Sequence, residues 1–92
     1  MSASVAPPLV PTHFVEMLQD ADELLALMAR ESLDVVAELA NALSVSAQGT
    51  GAWEIAETAG AVQRVASGHR PASLAGPMRA LTAAVERARR QY

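Results

Sequence analysis

The sequence predicts an all-α protein, and three observations carry that expectation. Ala, Leu, Met, Glu, Arg and Gln, the better helix formers, are abundant. Apolar residues recur every three to four positions in four separate segments. No β-branched or aromatic run alternates with period two, so strands have no support. With 92 residues, the chain suffices for one small domain. Aromatics make up 3% of it against 51% hydrophobic residues. The core must therefore be aliphatic, with alanines that let helices approach closely.

The first segment, 1–11, holds Pro7, Pro8 and Pro11 and reads as a flexible Pro-rich N-terminal arm, because the residue before a proline avoids the helical region. From Thr12, a plausible N-cap, Phe14, Leu18, Ala21, Leu25 and Met28 line one helical stripe, widened by Met17 and Leu24. Asp20, Asp22 and Glu23 fall on the opposite, solvated face. Ser32 can cap a second helix, with Asp34 favourably placed in its first turn.

On that second helix Leu33, Val36, Ala37, Ala40, Leu43 and Ala47 gather on one side, with Val35, Leu39, Ala42 and Ser46 beside them. An element apolar over more than half its circumference belongs at the centre of a fold. Its remaining stripe is Asp34, Glu38, Asn41, Val45 and Gln48, and Asn41 lies in the middle. Gly49 and Gly51 are expected to supply the left-handed exit. A third helix over about 52–66 turns Ile55, Ala59, Val62 and Ala66 inward, and Gly60 within it reads as a mark of close helix contact. After the turn 67–71, a fourth helix over about 73–90 carries Leu74, Met78, Leu81, Val85 and Ala88. Pro77 fits only its opening turn, where amide donors are unpaired anyway. Four amphipathic helices with short connections predict an antiparallel up-down-up-down four-helix bundle over 12–92.

Charge and composition exclude several functions. Residues 1–57 carry nine acids and one base, Arg30, whereas 58–92 carry six arginines and one acid, Glu86. This pattern reads as an acidic half packed on a basic half. It does not read as a nucleic-acid surface, which would be more basic overall and interleaved with aromatics. The chain has no cysteine, so disulfides, thiol catalysis and Cys-zinc sites are out. No apolar run approaches the ~20 residues of a membrane span, and the first ten residues do not look like a secretory signal. A soluble cytoplasmic protein without a membrane partner is expected. His13 and His69 read as solvated or capping histidines, with no ligand cluster around either, and no metal or cofactor is expected. Trp53 reads either as a packing cap over the end of the bundle or as an interface anchor.

The segment 39–47 reads "LANALSVSA", and "GAWEIAETA" follows at 51–59. With the run-in "SLDVVAELA" and the "VASG" closing the third helix, the chain from 12 to 92 resembles a histidine phosphotransfer (HPt) domain. That family is a four-helix bundle whose second bundle helix presents a solvent-facing histidine, usually within a "LAHSLKGSA"-like segment. The departures fall on the chemistry. Asn41 stands in the place of the phosphorylated histidine, and an amide nitrogen is no usable nucleophile. Ser44 stands where the family commonly has a lysine, and Val45 where it has a glycine. The resemblance implies a non-catalytic HPt-like domain with a degenerate phosphosite at Asn41, Ser44 and Val45. Such a domain would bind a response-regulator receiver domain or a sensor histidine kinase through Glu38, Asn41, Ala42, Val45 and Gln48, without phosphotransfer. Two other readings stand beside it: an unrelated small helical adaptor or oligomerisation module, and active phosphotransfer through an unexpected residue, His13 or His69.

Overall fold

The structure, a computed structural model, describes residues 12–91; the proline-rich arm expected at 1–11 and Tyr92 lie outside the described residues. Four α-helices follow one another: α1 Thr12–Met28, α2 Leu33–Gly49, α3 Trp53–Ser67 and α4 Ala75–Arg89. A short 3₁₀ turn, Pro71–Ser73, precedes α4. Among the described residues no strand forms. α1 packs on α2, α2 on α3 and α3 on α4, and α4 returns to α1. This closed ring of neighbours is compatible with a four-helix bundle.

The predicted stripes are the buried ones. Met17, Leu18, Ala21 and Met28 of α1 enter the core, as do Val36, Ala40, Leu43 and Ala47 of α2. Ile55, Ala56, Ala59, Val62 and Ala66 join from α3, and Leu81, Ala84 and Val85 from α4. Phe14, Leu25, Leu74, Met78 and Ala88 pack partly buried around them. Asp20, Asp22 and Glu23 are exposed, as their face requires. The α2–α3 pair is the most extensive helix contact. Fully buried alanines on both helices leave little side chain between the backbones, and dispersion contacts gain from that closeness.

The helix ends depart from the sequence reading in instructive ways. Ser32 does occupy the N-cap of α2 with extended backbone, φ −68° and ψ 162°, but its hydroxyl makes no capping hydrogen bond. Its carbonyl accepts the first bond of the helix, from the Val36 N–H at 2.9 Å. At the other end Gly49 remains helical, and Gly51 alone takes the left-handed conformation, at φ 77°. The chain then turns so tightly that the Ala52 N–H reaches the Ala47 carbonyl at 2.8 Å. After α3, Gly68 keeps φ −81°, while His69 takes φ 57°. A side chain in that region costs roughly 1 kcal/mol. α4 starts at Ala75 rather than near Ser73 because Pro71 first winds the 3₁₀ turn. Pro77 then falls within the first turn, and the Met78 N–H donates to the Leu74 carbonyl at 3.0 Å.

Gly60 does not mark a close backbone approach. A Cβ built there would lie 3.5 Å from an Arg64 guanidinium nitrogen and 4.0 Å from Ser44 Oγ, which are ordinary contacts. Gly60→Ala is therefore expected to stabilise the fold by about 0.5–1 kcal/mol, since glycine is the poorer helix former. Thermal and urea unfolding in dilute solution check this, and a lowered melting temperature would count against it.

Candidate functional site

The site builds outward from the exposed stripe of α2. Burying Val36, Ala40, Leu43 and Ala47 against α3 and its neighbours leaves Asp34, Glu38, Asn41, Val45 and Gln48 exposed. Ala42 is exposed beside them. Val45 is 59% exposed, an apolar side chain held in water with polar neighbours on either side along the stripe. Asn41 offers a carboxamide, which donates and accepts hydrogen bonds but does not attack phosphorus.

Between this stripe and α3 runs an open groove of about 660 Å³. Asn41 and Gln48 form one wall; Trp53, Glu57 and Arg64 form the other. Ser44, Ala56 and Gly60 lie along its floor. Trp53 is 63% exposed, so it stands at the lip of the groove rather than capping the core. Its other side borders a smaller pocket near Phe14 and Ala88 at the end of the fold.

Ser44 is not part of the exposed surface. It is 7% exposed, and its hydroxyl donates to the Ala56 carbonyl of α3 at 2.9 Å. The Gln48 side-chain amide donates in turn to Ser44 Oγ at 3.4 Å. Of the three positions where the resemblance implies a lost phosphosite, Asn41 and Val45 thus face water while Ser44 is used inside the α2–α3 seam. Sequence reading missed this buried hydroxyl, though a signal was there: Ala40, Ser44 and Ala47 lie at i, i+4 and i+7 on one face.

The two histidines lie elsewhere. His13 is exposed near the start of α1. His69 follows α3; its Nε2 is 3.2 Å from an Asp34 carboxylate oxygen, and its Nδ1 is 3.1 Å from the Ser67 carbonyl. Both partners are acceptors, so a neutral ring with one N–H donates to only one of them. The ring clips the start of α2 to the end of α3. Among the described residues no group of three His, Asp or Glu side chains could hold a metal ion. Among them, too, no helix is long and apolar enough to cross a membrane.

Comparison with protein-family models, with curated proteins and with solved structures finds no match for this chain. The likeness to HPt domains therefore rests on the quoted residues alone.

Charged contacts tie α4 to the rest of the fold. The Arg87 guanidinium makes a two-pronged ion pair with Glu54 at the start of α3. Arg89 pairs with Asp22 of α1 and, at 3.1 Å, with Glu86. The hydrogen bond from Arg87 holds the Glu54 carboxyl below the usual glutamate range, and the same bond raises Arg87. The hydrogen bond to Asp22 likewise raises Arg89. These pairs carry out part of the charge division seen in the sequence, since acids of the first half meet arginines of the second.

Two outcomes follow. Ser44→Ala leaves the Ala56 carbonyl without its hydroxyl donor and is expected to cost about 1 kcal/mol of stability, measured by urea unfolding; a neutral result would show that water replaces the bond. For Glu54, the folded-state value lies below the unfolded one. The pairing thus stabilises the fold above the ordinary carboxylate range, and this contribution is lost as pH falls through the folded-state value. Carboxyl-selective NMR titration should find Glu54 returned to the ordinary range in Arg87→Gln, with that part of the acid dependence of stability gone.

Proposed function

We propose that this chain is a catalytically silent HPt-like domain of two-component signalling. It binds a receiver domain or a sensor kinase through α2 and passes on no phosphoryl group. Its architecture on this reading is the antiparallel up-down-up-down bundle. Two contacts and one shared pocket between helix ends support that topology. Asp34 at the start of α2 meets His69 beyond the end of α3. Arg87 near the end of α4 meets Glu54 at the start of α3. Gly51 follows α2 and borders the same end pocket as Phe14 of α1.

The observation that carries the functional reading is the exposure of Asn41 and Val45 together on the flank of α2, in the register where the HPt motif resembled by "LANALSVSA" has its histidine and glycine. An exposed aliphatic side chain beside carboxamides suits an interface better than it suits water, because its burial is favourable by about 25 cal/mol per Å² and the amides satisfy a polar rim. Without an imidazole at position 41 the surface retains docking groups and lacks the phosphoryl carrier. Glu38, Ala42 and Gln48 extend the same surface. Such a domain occupies its partner as a competitor or a scaffold.

Titration of labelled receiver domains and sensor kinases from the same organism tests this. Binding in the micromolar range to at least one of them is expected. Val45→Asp, which buries a charge in the contact, is expected to weaken that binding roughly tenfold or more, about 1.4 kcal/mol. If neither class of protein binds, or if Val45→Asp binds as well as the parent, the reading is wrong.

A further inference from the structure

The exposed face of α3 has a pattern that α2 does not explain. At about 100° per residue, Trp53, Glu57, Gly60, Arg64 and Ser67 fall within one narrow stripe on the outer side of the helix. All are exposed except Gly60, which is half-buried in the floor of the groove. Glu57 and Arg64 are opposite charges, about 10 Å apart along the axis, and Gly60 sits between them. Neither charge enters an ion pair among the described residues.

This stripe is complementary to itself. Turn a second copy of α3 end for end about a two-fold axis at Gly60, and Glu57 of one copy comes opposite Arg64 of the other, twice. Gly60 of each copy lies near the axis, beneath its own Arg64 side chain. Trp53 of each copy comes beside Ser67 of the other. A two-fold interface must be built from one patch that matches itself in this way. The charges make the antiparallel crossing favourable and a parallel one repulsive. The two tryptophans, already at the lip of the groove, would supply apolar contacts at the two ends of the crossing, about 10 Å from the axis.

We infer that the chain pairs with a second copy of itself through the outer stripe of α3, antiparallel, with reciprocal Glu57–Arg64 ion pairs. This inference does not rest on the HPt-like reading. Asn41 and Gln48 form the opposite wall of the groove from Trp53, so the paired form covers part of the surface assigned above to a signalling partner, and the two modes of binding compete.

Sedimentation velocity and light scattering decide it. The parent chain is expected to be a dimer at roughly 100 μM, as suits a small interface of modest affinity. Glu57→Arg and Arg64→Glu are each expected to be monomeric there, since each places like charges opposite one another twice. A one-to-one mixture of the two variants restores both attractive pairs and is expected to dimerise, as is the double exchange in one chain. Both side chains are exposed, and unchanged far-UV circular dichroism shows that the variants stay folded. A parent chain that remains monomeric, a dimer indifferent to both single exchanges, or a mixture that fails to pair would each overturn the inference. Receiver binding is read separately with Val45→Asp, and neither Glu57 nor Arg64 belongs to the surface assigned to it, so the two proposals fail separately.

Discussion

The close approach of α2 and α3 is the constraint on which the rest of the molecule depends. Ala40 and Ala47 on one helix, with Ala56, Ala59 and Ala66 on the other, are all nearly or wholly buried. Alanine contributes little transfer energy of its own, and its value lies in letting the backbones draw together so that Val36, Leu43, Ile55 and Val62 fill the core. A side chain on α2 hydrogen-bonds directly to a backbone carbonyl of α3, Ser44 to Ala56, and this is possible only because the seam is narrow. The bond also fixes register. A slide of one helix by a residue would bury a hydroxyl without a partner, which costs more than the bond itself contributes.

From this seam the surface follows. With Ser44 turned inward, the flank of α2 keeps Glu38, Asn41, Val45 and Gln48, and the gap toward α3 becomes a groove floored by Gly60 rather than by a bulky side chain. The ends of the pair are closed by different means. Gly51 provides the tight turn at one end. At the other, His69 adopts a backbone conformation unusual for it and holds Asp34. α1 and α4 cover the remaining sides, with arginines of α4 reaching acids of α3 and α1. These exposed pairs orient α4 more than they stabilise it, since ion pairs in water contribute little.

The stripes of α2 and α3 suit different partners. On α2 an aliphatic side chain sits among carboxamides with two acids, Asp34 and Glu38, and this favours a partner of mixed polarity. On α3 two unpaired opposite charges flank a glycine, and this favours the same helix reversed. Because the groove joins the two stripes, occupation of one restricts the other, and self-association would regulate access to α2 without any change of fold.

The sequence by itself determined the helices and their inward faces. Periodicity reports which side of a helix is apolar, and the stripes of Leu18, Leu43, Val62 and Leu81 were legible for that reason. It also determined the exposure of Asn41 and Val45, which follows once the rest of α2 is apolar. Other features depend on which residues meet across helices, and no single helix encodes that. The inward turn of Ser44 needed the Ala56 carbonyl opposite it. The exposure of Trp53 needed a groove on one side and a pocket on the other. The left-handed backbone falls at His69 and not at Gly68, and the contact of its ring with Asp34 joins two different helices. Gly60 looked like a contact point between backbones; the positions of Arg64 and Ser44 made it the floor of a groove instead, because spacing between helices is set by the whole seam and not by one residue within it.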